Sequence, residues 1–160
     1  METQQESTTE QEAMMEAMKK AAEPRKEHEW LQKLVGEWTM EDDPATDPSQ
    51  SAGAWTESVR SLGGLWTLAE GQGETPGGTP ATTVMTLGYD PQRQRYVGTW
   101  VGSMMNHLWI YEGTLDADGK VLTLDSEGPS MAEGSAGKMA KYKDAIEFKS
   151  DDHRVLTSAA

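Results

Sequence analysis

Tyr96, Gly98, Trp100 and Gly102 alternate along one short segment of the chain, and His107, Trp109, Tyr111 and Gly113 alternate along the next. In extended backbone, residues two apart share a face, so each segment offers aromatic rings and glycine gaps on one side. Rings standing around a free space would receive an apolar or aromatic molecule at small ordering cost. His107, at one rim, would supply an orienting polar contact or a proton. Met104 and Met105, in the connection between the two segments, would form an adaptable apolar lid. Trp55 and Trp66 extend the aromatic set. Glu57 shares a strand face with Trp55, and Glu70 shares one with Trp66; a carboxyl group among indoles has its pKa raised and can serve as a general acid or base. The same aromatics have a plainer use, because side chains fill most small barrels outright.

Other chemistries find little support. His28, His107 and His153 show no metal-ligand spacing, and no HExxH motif follows from His28-Glu29, so no metal site is expected. Without cysteine there is no thiolate nucleophile and no disulfide framework. Ser103 lacks the Gly-x-Ser-x-Gly elbow, and Gly71-Gln72-Gly73 lacks the strand-to-helix setting of a dinucleotide loop, so no cofactor is expected. The formal net charge of -13 repels phosphate backbones and anionic lipid. Nucleic acid and membrane surfaces are therefore poor partners. No apolar run approaches a bilayer span, and the acidic start does not read as a signal peptide, so a cytoplasmic protein is expected.

The elements that must position these residues are mostly strands. Residues 1–23 form an acidic segment, partly helical, in which Ala13, Met14, Ala17, Met18 and Ala21 recur at helical spacing, predicting a helix over Thr9–Ala22. Pro24 ends it. Arg25–Val35 predicts a second short helix with Trp30, Leu31, Leu34 and Val35 on one face, and Gly36 stands where a C-terminal cap belongs. Beyond it, short alternating runs predict strands at Glu37–Glu41, Gly53–Leu62, Leu65–Gln72, Thr82–Asp90, Arg95–Gly102, Leu108–Asp116, Val121–Ser126, Met139–Phe148 and Arg154–Ser158, with Gly71–Pro80 as a flexible loop. Asp90–Gln94 and Asp116–Gly119 read as hairpin turns. Strands joined in this way form an antiparallel meander, which closes into a β-barrel over residues 24–160 most simply to hide its edges.

Four of the six tryptophans follow a glycine by two residues: Gly36 and Trp38, Gly53 and Trp55, Gly64 and Trp66, Gly98 and Trp100. The intervals between these pairs are unequal, so they mark no structural repeat. They read as strand grammar, in which each glycine leaves room beside the indole that follows it.

A short helix running into Gly-x-Trp on the first strand, followed by a meander, resembles the opening of the calycin, or lipocalin-like, barrels. The stretches HEWLQKLVGEW at 28–38, VRSLGGLW at 59–66, LGYDPQRQRYVGTWVGSMM at 87–105, LWIYEGTLDADGKVLTLDSEGPSM at 108–131 and DDHRVL at 151–156 carry a wider resemblance. They are similar to the bacterial domain-of-unknown-function family 1579. The resemblance implies a calycin-like barrel and offers no established catalytic residues to carry over. It also implies a further strand beyond the position of Ala160, rich in aromatic and basic residues. Without that strand, both barrel closure and the basic residue that calycins often pack on their first-strand Trp are in question.

The expected function is binding of a small hydrophobic molecule in a cavity lined by Trp55, Glu57, Trp66, Tyr96, Trp100, Met104, His107, Trp109 and Tyr111. The first alternative is a cofactor-free isomerase or cyclase using Glu57, Glu70 or His107 for proton transfer. The second is a structural or interaction module whose barrel is filled. A homodimer is expected, covering the edge at Arg154–Ser158 or at the first strand, with the N-terminal Met stripe as a second candidate interface.

Overall fold

A computed structural model describes residues 2–41, 54–132 and 134–159. Helix α1 (Glu2–Ala21) and helix α2 (Lys26–Gln32) precede nine strands: β1 (Gly36–Met40), β2 (Trp55–Leu62), β3 (Trp66–Glu74), β4 (Pro80–Asp90), β5 (Arg95–Gly102), β6 (Trp109–Leu115), β7 (Val121–Pro129), β8 (Met139–Ser150) and β9 (His153–Ala159). Each strand pairs antiparallel with its sequence neighbours, giving one sheet in the order β1 to β9. The meander is as expected from the sequence, and it curls into a half-barrel with β1 and β9 as its two ends. Gly53, with the rest of residues 42–53 between β1 and β2, lies outside the described residues.

The concave face carries the core. Register lines up a row Val59, Ala69, Met85, Trp100 and Trp109 across β2 to β6. A neighbouring row runs Thr67, Leu87, Gly98 and Tyr111 across β3 to β6. Leu122 and Leu124 of β7 are fully buried, with Ile146 of β8 opposite Leu122. The strict alternation of buried and exposed residues along β6 follows from the two-residue period of the strand.

Helix α2 plugs one end of the half-barrel with Trp30, Leu31 and, just past its last turn, Leu34, all buried. Polar ring atoms fix its position. The His28 Nδ1 atom accepts the Arg25 amide at 2.9 Å, which puts the ring proton on Nε2, and Nε2 donates to the Tyr89 carbonyl at 3.2 Å. Trp30 Nε1 donates to the Gly119 carbonyl at 2.7 Å, and Trp38 Nε1 donates to the Leu34 carbonyl at 2.8 Å. The residues of helix α1 from Thr8 to Ala21 are exposed, Met14, Met15 and Met18 included. Among the described residues, no helix is long and apolar enough to cross a membrane.

Two local expectations need correction. The stretch Gly71–Pro80 is not a flexible loop: β3 runs on to Glu74 and β4 starts at Pro80, joined by a turn in which Thr75 N donates to Thr79 O at 2.9 Å. Of the Gly-x-Trp glycines, Gly36 and Gly64 have no indole within 4 Å of where a Cβ would stand, and Gly53 lies outside the described residues. The Trp55 ring lies over Gly73, the Trp66 ring over Gly88 and the Trp109 ring over Gly128. Extending the strand registers by one to three steps puts each of these glycines directly across from its tryptophan on the next strand. Gly36 and Gly64 serve the backbone instead, at φ 140° and 75°. Gly98 serves strand packing, since a Cβ there would run into the Thr86 carbonyl oxygen.

Candidate functional site

The sequence-derived site residues divide among three places. Trp100, Met104, His107, Trp109 and Tyr111 gather towards the end of the half-barrel opposite α2. Trp100 and Trp109 face each other across β5 and β6. The His107 ring stands edge-on to Trp109 with centroids 4.8 Å apart, and its Nε2 contacts the Glu127 carbonyl at 3.0 Å. Trp109 donates from Nε1 to the Met105 sulfur at 3.1 Å and packs edge-on against Tyr142 at 5.3 Å. Tyr111 donates its hydroxyl to Asp144 Oδ2 at 3.0 Å, while Ser158 donates to Oδ1 at 2.6 Å. Burial, followed by the charge of Asp144 and the hydrogen bond to it, holds the Tyr111 phenol far above the ordinary tyrosine range. Met104 sits partly exposed at the rim, against Gly102. Trp55 lies at the same end, three strands from Trp100, over Gly73.

Glu57 lies in the middle of the concave face. Its carboxylate pairs with the Arg154 guanidinium from β9, and that guanidinium stacks 4.4 Å above the Trp38 ring. The first-strand tryptophan thus has its basic partner within these residues, and Arg154 ties the last strand to the first two through side chains. The enclosed space beside this cluster, lined by residues including Val59, Met85, Ile146 and Leu156, measures about 20 Å³. That is room for about one water molecule. Trp66 and Glu70 are on the convex face, both exposed, with Glu70 accepting a hydrogen bond from Gln72. Glu57, Glu70 and His107 therefore do not meet.

Tyr96 is at the other end, beneath α2, beside a ligand-sized space. A groove of about 490 Å³ runs between the start of α2, the β4–β5 hairpin and the β6–β7 turn. Its walls include Trp30, Tyr89, Tyr96 and Leu115, and its charged lining residues are Lys26, Glu27 and Asp116. The Tyr89 and Tyr96 rings are a cross-strand pair with centroids 5.0 Å apart, and Trp30 stands 6.1 Å from Tyr96. Tyr96 is 2% exposed, and its hydroxyl is buried with no hydrogen-bond partner. Burial, with a smaller push from the Glu27 carboxylate, raises its pKa far above the ordinary value. The Asp116 carboxylate accepts the amides of Lys120 and Val121 at 2.8 and 3.1 Å, and these bonds hold its pKa below the usual range.

Of the groove residues, only Tyr96 stood out in the sequence as a site candidate. Trp30 read as a core-facing helix residue, and Tyr89 as an ordinary strand position. The overlooked signal was that Tyr89 and Tyr96 each stand two residues from the Pro91–Gln94 turn, on its two sides, so that a hairpin must pair them.

Residues 23–160 match the family described as a protein of unknown function, DUF1579. No curated protein matches the chain. The chain belongs to this family.

Proposed function

We propose that this member of the family is a non-catalytic binding module for a small molecule with an aromatic or apolar body, taken up in the groove beneath α2. The observation that carries this reading is the groove itself. Its volume of about 490 Å³ falls in the range typical of ligand sites, and its lining includes Tyr96, with a buried hydroxyl that lacks a partner. An unpartnered buried hydroxyl costs about 1–3 kcal/mol, a cost that a ligand atom bonding to it would remove. The half-barrel interior, with about 20 Å³ of space, supports a filled core in place of a ligand chamber.

A panel of small aromatic compounds followed by amide chemical shifts tests the reading. At least one compound should produce saturable shifts centred on Glu27, Tyr89, Tyr96 and Gly119, with Trp100 and Trp109 little changed. Saturable shifts centred on Trp100, His107 and Trp109 would instead move the site to the opposite end. No saturable shift anywhere would overturn the reading.

A further inference from the structure

The groove has a sign of charge as well as a shape. Two carboxylates, Glu27 and Asp116, line it against one ammonium, Lys26. Among the described residues, neither carboxylate belongs to an ion pair. The amides of Val121 and Lys120, with the nearby Lys120 ammonium, keep Asp116 ionised. The Trp30, Tyr89 and Tyr96 rings line the same groove, and the π-faces of such rings attract cations. The Tyr96 hydroxyl can accept an N–H hydrogen bond as readily as it donates one. The net charge of -13 adds a long-range pull of the same sign.

We infer that the groove selects an organic cation, a flat apolar body carrying a protonated amine, with the body against Trp30 and Tyr89 and the ammonium between Glu27 and Tyr96. This inference rests on the binding reading above and narrows its ligand class. An anionic ligand of the same shape would meet two carboxylates. A neutral one would leave the ring faces and carboxylates without the charge they favour.

Three probes of matched shape decide the matter: 2-phenylethylamine, 2-phenylethanol and 3-phenylpropionate, each titrated into the full chain and followed by the amide shifts of Glu27, Tyr89, Tyr96 and Gly119. The amine should bind about tenfold or more tightly than the acid, with the alcohol between them, and added salt should shrink the difference. Glu27→Gln should lower amine affinity several-fold and leave the alcohol nearly unchanged, because only the charge is removed. Equal or tighter binding of the acid or the alcohol would overturn the cation inference and leave the groove as a binding site. No groove shift with any of the three would count against both. An amine preference untouched by Glu27→Gln would overturn the placement of the ammonium. If Glu27→Gln alters the amide spectrum beyond α2, Tyr96→Phe supplies the second variant, and it should weaken the amine more than the alcohol.

Discussion

Tyr96 and Tyr111 are the same residue on the same concave face, both buried and both with raised pKa, yet their hydroxyls differ in one respect. Tyr111 has Asp144 as a partner; Tyr96 has none. Tyr111→Phe should therefore destabilise by about 1–3 kcal/mol in denaturant unfolding, since it strands part of the Asp144 carboxylate. Tyr96→Phe should leave stability unchanged or raise it, because it removes a polar atom that bonds to nothing. Alkaline pH adds a second check. Each phenol has its folded pKa raised above the ordinary value of 10.0, so its contribution is complete below about pH 10 and is lost as pH rises further, when the unfolded chain ionises first. Tyr96→Phe should accordingly hold its fold to higher pH than the parent chain. A parent that unfolds at the same alkaline midpoint as this variant would contradict that assignment.

Among the elements, the strands depend on glycines that make room for indoles across the ladder. A Cβ at Gly128 would overlap the Trp109 ring and a Cβ at Gly88 the Trp66 ring, but the two indoles differ in freedom. Trp109 is 9% exposed and held by Met105 and Tyr142, whereas Trp66 is 41% exposed. Gly128→Ala should cost about 1–3 kcal/mol in overpacking and Gly88→Ala clearly less, measured by thermal or chemical unfolding. Similar costs for both would show that the convex-face indole is as confined as the buried one. The sequence made this part of the fold readable through alternation, which located all nine strands, and through turn residues, which set their order. It did not reveal which glycine serves which indole, because that depends on register between strands. The groove was hidden for a related reason. Its parts come from α2, a hairpin and a turn far apart in the chain, and helical periodicity identifies Trp30 as core-facing without saying which end of the half-barrel it plugs.

For the whole molecule, a meander makes almost every strand contact local in sequence. Among the described residues, longer links include His28 reaching 61 residues to Tyr89, Trp30 reaching 89 to Gly119, and Arg154 reaching 97 to Glu57. These contacts decide the order of assembly. Each hairpin closes a short loop at small entropic cost and can extend the sheet one strand at a time, whereas the long links repay their larger closure cost only after the strands between them are in place. Arg154, which joins the last strand to the first two, therefore belongs to the last events of folding and the first of unfolding. Arg154→Ala should speed unfolding several-fold and leave the refolding rate nearly unchanged in stopped-flow measurements across denaturant. A slowed refolding limb would mean that the two ends of the sheet meet early, and that the chain folds around its seam.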